Sequence, residues 1–100
     1  MEVKIENTNA ETMVKMIGRL DSMNSGEVEK AVAPVMESDM KNVIIDCSEF
    51  DYISSSGLRI FLTMLKEAKK KGGKLSIRNM KAEIKSVFDI TGFTPLFIFE

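Results

Sequence analysis

Val43-Ile44-Ile45 is the stretch that most narrows the folds open to this chain. Three β-branched residues in succession, with no polar alternation, suit a strand buried on both faces, as in a parallel sheet. Helical stripes stand on either side of it. Val28, Ala31, Val32, Val35 and Met36 recur at i, i+3, i+4, i+7 and i+8 before it, and Leu58, Phe61, Leu62 and Leu65 follow it. One apolar face per helix is what a layer packed on a sheet requires.

The rest of the pattern extends this arrangement. Val3 and Ile5 alternate with Glu2, Lys4 and Glu6, and a second strand is expected over Thr12 to Ile17. The turn-rich Asn7-Thr8-Asn9-Ala10 between them predicts an antiparallel hairpin. Asn24 opens the first helix, with Glu27 placed for a capping box and Met23 and Val28 for a hydrophobic staple. Pro34 predicts a kink or an early end to that helix. The second helix is expected from Ser56 or Gly57 to Lys71, closed by Gly72-Gly73. Leu75 and Ile77 mark a strand, Ile84, Val87 and Phe88 a third helix ending at Gly92, and Leu96 to Phe99 a last strand. The order β-β-α-β-α-β-α-β predicts an α/β domain over residues 1–100. Its sheet is mixed and mostly parallel, with about five strands and helices mainly on one face.

Composition excludes several functions. The chain of 100 residues has no histidine, which removes Ser-His-Asp and Cys-His catalysis. A lysine-assisted serine hydrolase is disfavoured too, since Leu58 and Arg59 lie three residues after Ser55 and Ser56. No enzyme activity, metal or cofactor is expected. With 14 basic and 15 acidic residues the net charge is −1, so nothing drives direct binding to nucleic acid or an anionic membrane. Cys47 has no disulfide partner in the chain and reads as a small core residue. No apolar run reaches the ~18 residues of a membrane span, and the start, Met-Glu-Val-Lys-Ile-Glu, is unlike a signal peptide. A cytoplasmic protein is expected, its oligomeric state open.

The informative segment is Asp46-Cys47-Ser48-Glu49-Phe50-Asp51-Tyr52-Ile53-Ser54-Ser55-Ser56-Gly57-Leu58-Arg59. It joins the buried strand to the second helix, at the carboxyl end where α/β sheets carry their sites. Serine is a favoured N-cap, worth ~1 kcal/mol, but one cap needs one serine and this run has three. Gly57 costs ~1 kcal/mol against alanine in a helix, so something must approach the backbone there. Asp46 and Asp51 are expected to orient the loop or to accept backbone N–H groups. Arg59 lies off the apolar stripe, as a solvated residue or a partner contact. Lys69-Lys70-Lys71 reads as a solvated helix end, and the methionines as core filler.

Ile53-Ser54-Ser55-Ser56-Gly57-Leu58 resembles the switch signature of the STAS family, in particular its bacterial anti-sigma factor antagonists. Gly18-Arg19-Leu20-Asp21, Val43-Ile44-Ile45-Asp46, Lys71-Gly72-Gly73-Lys74-Leu75 and Val87-Phe88-Asp89-Ile90-Thr91-Gly92-Phe93 match further family features in the same order. The resemblance implies partner switching. An unphosphorylated antagonist binds an anti-sigma factor serine kinase and frees sigma; phosphorylation reverses this, and a serine phosphatase restores the antagonist. Carried over residue by residue, the phosphorylated position is Ser55, with Ser56 the runner-up. Asp21, Ser54, Ser56, Gly57 and Arg59 are the implied partner-binding residues, although Asp21 reads equally as the cap or turn residue before Asn24, and Ser54 and Ser56 as local hydrogen-bonding or capping groups. Two departures stand out: Ser54 replaces the family's aspartate, and the chain stops at Glu100, where relatives continue into a helix. The surface under that helix is expected to be bare or otherwise filled. The rival reading is a non-switching STAS docking subunit of an ABC-type lipid-transport ATPase.

Overall fold

In the computed structural model, which describes residues 1–100, β1 (Glu2–Asn7) and β2 (Thr12–Leu20) form the expected antiparallel hairpin. Then come α1 (Ser25–Glu37), β3 (Val43–Ile53), α2 (Ser55–Lys70), β4 (Leu75–Arg78), α3 (Ala82–Thr91), a 3-10 turn (Thr94–Leu96) and β5 (Ile98–Phe99). The sheet order is β1-β2-β3-β4-β5, and every pair after the first is parallel. Each crossover steps one strand in the same direction. Right-handed crossovers of that kind put all three helices on one face, and their buried side chains join the sheet in one core cluster.

Val43, Ile45 and Cys47 point into that core. Ile44 is also buried, but on the helix-free face, in register with Met13 of β2 and Ser76 of β4. The strand is thus buried on both faces, although helices cover only one. A row of rings crosses the core: Phe50 to Phe61 at 5.8 Å, Phe61 to Phe88 at 5.7 Å and Phe88 to Phe97 at 5.4 Å between centroids. It ties β3, α2, α3 and the approach to β5 together.

Several local expectations are corrected. β2 runs on to Leu20, and β3 continues eight residues beyond Ile45, through the segment expected to be a loop. The register slips between Lys15 and Ile17 and again between Gly18 and Arg19, each time with an extra residue on β3. Two bulges of this kind bend and twist the strand. They also turn its inward period from two to three, so that Cys47, Phe50 and Ile53 face the core. Asp46 and Asp51 therefore lie on β3.

No capping box forms at Asn24, and Met23 is almost fully exposed, so there is no staple. Val28, Val32 and Val35 are buried as expected, but Ala31 is exposed. Pro34 lies inside α1, which continues three residues past it. Lys71 is not merely solvated: its Nζ donates to the Met36 carbonyl at 2.7 Å and to that of Val35 at 3.5 Å, closing the end of α1. At Gly73 a Cβ would stand 2.0 Å from the Lys41 carbonyl oxygen, so the turn after α2 accepts only glycine there. The last strand is shorter than expected, because Thr94–Leu96 forms the 3-10 turn around Pro95.

Candidate functional site

β3 and β2 stay paired to their ends: Leu20 faces Ile53, and the Ser54 N–H donates to the Leu20 carbonyl at 2.9 Å. This bond fixes where α2 starts. Ser54 is the N-cap; its Oγ accepts from the Gly57 N–H at 3.2 Å, and its carbonyl accepts from Leu58 at 2.9 Å. One serine of the three thus performs the capping. The second helix begins at Ser55, a residue earlier than expected, so Ser55 and Ser56 occupy its first turn. Ser55 is exposed and Ser56 half-buried. Neither hydroxyl has a partner within the protein, and the N–H groups of both residues lack an acceptor there. Two free donors at the positive end of a 16-residue helix make an environment that favours an anion on Ser55.

Gly57 explains itself by contact. A Cβ there would lie 2.6 Å from Leu20 Cγ, 2.9 Å from Leu20 Cδ2 and 3.1 Å from Ile53 Cγ1. The first turn of α2 therefore rests directly on the end of β2. Asp21 follows Leu20 at once and organises the next turn. Its Oδ1 accepts from the N–H groups of Met23 at 3.0 Å and Asn24 at 3.1 Å. Asn24 returns the favour through its side chain, accepting from the Asp21 N–H at 3.0 Å and donating to the Arg19 carbonyl at 2.8 Å. The Asp21–Asn24 turn is thus rigid and is set beside α2 through Leu20.

The structure brings Ser54, Ser55, Ser56 and Gly57 together and links Asp21 to them through one residue. Arg59 is exposed one turn further along α2. Sequence reasoning included Leu20 in a matched motif but missed its role: it is fully buried and is the surface on which Gly57 rests. The same reasoning placed Met23 in a staple, whereas its apolar side chain stands in solvent within the Asp21–Asn24 turn, and it did not foresee the contact of Arg19, whose guanidinium lies 4.3 Å from the centre of the Tyr52 ring. The only sequence signal for the last was a basic and an aromatic residue on strands that pair.

The acidic residues of β3 are held in place. Lys81 pairs with Asp51 at 2.5 Å and Lys15 with Glu49 at 2.9 Å, and each bond raises the pKa of its lysine. Asp46 is partly desolvated, which alone would raise its pKa. Hydrogen bonds from Ser48 and Asn79, with the charge of Lys15, outweigh this and hold it below the usual carboxylate value. Burial pushes the Cys47 thiol up to about 12. No group of three or more His, Cys, Asp or Glu could hold a metal ion, and no helix is long and apolar enough to cross a membrane.

A mixed sheet in this strand order, with three helices on one face and a serine-capped helix following the central strand, defines the class. The chain belongs to the STAS domain family, whose pattern matches residues 2–100. It is 28% identical over 98 residues to an anti-sigma-B factor antagonist of Bacillus subtilis, covering 96% of this chain and 87% of that protein. The anti-sigma-B factor antagonist of Staphylococcus aureus is equally similar, with 91% of its length covered. Among solved structures, an anti-sigma factor antagonist from Mycobacterium paratuberculosis superposes with a TM-score of 0.86 at 19% identity, over 98% of this chain and 83% of that one. The Bacillus cell fate determinant SpoIIAA in its phosphorylated form superposes with a TM-score of 0.76 at 17% identity, over 99% of this chain and 91% of that one. These structures are alike in fold.

Proposed function

We propose that this chain is an anti-sigma factor antagonist that works by partner switching, with Ser55 as its phosphorylated residue. The observation that carries the site is the placement of Ser55. It is exposed on the first turn of α2, its hydroxyl is free, and two unsatisfied N–H groups lie beside it. The names of the curated relatives support the antagonist role. In this reading the unphosphorylated protein docks on an anti-sigma factor serine kinase through the surface of Asp21, Ser54, Ser56 and Arg59, with Gly57 buried beneath it against Leu20, and sigma is released. The kinase moves the terminal phosphoryl group of a nucleoside triphosphate onto Ser55 Oγ, which loses its proton as the diphosphate leaves. A serine phosphatase hydrolyses the ester and resets the switch. The protein acts in the cytoplasm and catalyses nothing itself.

The phosphate adds about −1.5 to −2 charges. The helix N-terminus accommodates it, so the fold is retained. A partner seated over the same turn meets a solvated dianion instead of a hydroxyl. A loss of ~2 kcal/mol in affinity is ~30-fold, enough to exchange partners.

The test is intact mass and site mapping on protein purified from its native cells, with binding of the purified anti-sigma factor to variants. One phosphoryl group on Ser55, tight binding by Ser55→Ala and weak binding by Ser55→Glu are expected. Phosphate on Ser56 would keep the switch but move it by one residue. Absence of phosphate in every growth condition, with both variants binding like the unmodified protein, refutes the switch. That result would favour a constitutive docking subunit.

A further inference from the structure

The side of α2 that turns toward the 3-10 segment is unfilled. A groove of about 420 Å³ runs there, with Leu62, Leu65 and Leu96 among its lining and Arg59, Lys66 and Lys69 along it. Leu96 is 45% exposed, although it is a large apolar side chain. The three cations have no carboxylate partner. Of the other cations, Lys4, Lys15, Lys70, Arg78 and Lys81 are in ion pairs, and Arg19, Lys30, Lys41, Lys71, Lys74 and Lys85 are not. What distinguishes the groove is that three unpaired cations line it together beside an exposed leucine, in a chain whose net charge is −1.

The spacing of the charges identifies the occupant. Arg59 and Lys69 are ten residues apart on one helix, about 15 Å along its axis, and Arg59 and Lys66 about 10 Å. A single phosphate or carboxylate headgroup cannot reach all three. Carboxylates spread along a helix can, while its i, i+3, i+4 apolar side chains fill the leucine floor. We infer that this groove docks an acidic amphipathic helix of a protein partner, with its apolar face on Leu62 and Leu96 over the buried Leu65 and its carboxylates toward Arg59, Lys66 and Lys69. The inference rests on the reading above that the chain works through protein partners, and it extends the contact surface from the first turn of α2 along the helix.

The probe is a fluorescein-labelled synthetic peptide of about 15 residues, leucine on one helical face and glutamate on the others. A scrambled peptide of the same composition is the control. Anisotropy should show saturable binding that weakens at least about tenfold between about 50 and 500 mM salt. Amide shifts in NMR should map to residues 59–69 and to Leu96. Lys66→Glu with Lys69→Glu should melt like the parent protein yet bind at least about tenfold more weakly, ~1.4 kcal/mol. Equal binding of the scrambled peptide, shifts away from the groove, or an indifferent double variant overturns the inference. So does binding to phosphatidylglycerol vesicles in preference to the peptide. The peptide assay needs no phosphorylation, so an unphosphorylated Ser55 sinks the switch and leaves the groove standing. Failure of the peptide with Ser55 phosphorylated does the reverse.

Discussion

Replacing Gly57 by alanine sets two physical effects against each other, and the structure gives the sign. Helix propensity favours alanine by about 1 kcal/mol. Packing opposes it, because the new methyl would stand 2.6 Å from Leu20 Cγ and 2.9 Å from its Cδ2. Leu20 is fully buried against the core and has no solvent to turn into. Overpacking of this kind costs about 1–3 kcal/mol, and contacts this short belong in the upper half of that range. The expected net effect of Gly57→Ala is a loss of about 1–2 kcal/mol, a fall in Tm of roughly 5–10 °C. Urea denaturation of four proteins measures it: parent, Gly57→Ala, Leu20→Ala and the double variant. Leu20→Ala alone should cost about 2–5 kcal/mol. Since it removes the atoms in conflict, the double variant should be more stable than the sum of the two losses by about 1 kcal/mol or more. A Gly57→Ala protein as stable as its parent, or strict additivity, would refute the close-approach account.

The capping assignment separates neighbouring serines. Ser54→Ala should cost about 1 kcal/mol, whereas Ser55→Ala should stay within about 0.5 kcal/mol; thermal melts giving the reverse order would overturn it. Cys47 should resist a thiol reagent at pH 8 in the folded protein and react on urea unfolding, because burial holds its pKa at about 12. Rapid stoichiometric labelling of native protein would contradict this. Asp46 has a lowered pKa in the folded state, so it stabilises the fold above the unfolded carboxylate value, and this contribution is lost as pH falls through its folded pKa. Urea midpoints measured from pH 7 downward should fall less steeply below about pH 4 in Asp46→Asn than in the parent; parallel curves would dismiss the role.

The elements with clean periodicity were legible in the sequence. The stripes of α1, α2 and α3 and the alternation in β1 carried the element order, and the order carried the sheet. The length of β3 was not legible, because its two bulges replace alternation with Cys47, Phe50 and Ile53 at period three. The start of α1 at Asn24 was legible, but the use Asn24 makes of its side chain was not. Asn24 has the right neighbours for a capping box, but Asp21 and the Arg19 carbonyl, from the preceding turn, compete for its side chain. At the candidate site, three hydroxyls before a glycine located the start of α2. The sequence could not show which serine caps, because that depends on the Ser54–Leu20 bond between two strand ends. Nor could it show why Gly57 is small, since Leu20 lies 37 residues earlier in the chain.

The closure of α1 by Lys71 has a consequence for the order of assembly. The Val35 carbonyl has a local donor in Ser38, whose Oγ donates to it at 2.9 Å, but the Met36 carbonyl receives its side-chain donor from a residue 35 positions later, beyond all of β3 and α2. α1 has no basic residue in its own last turn. The Met36 carbonyl gains this donor only when α2 has docked beside α1, so the last closing bond of that turn depends on tertiary assembly. Substitutions near Met36 should leave the folding rate almost unchanged and speed unfolding, the signature of contacts made after the transition state. The lysine at the end of one helix thereby completes the end of another.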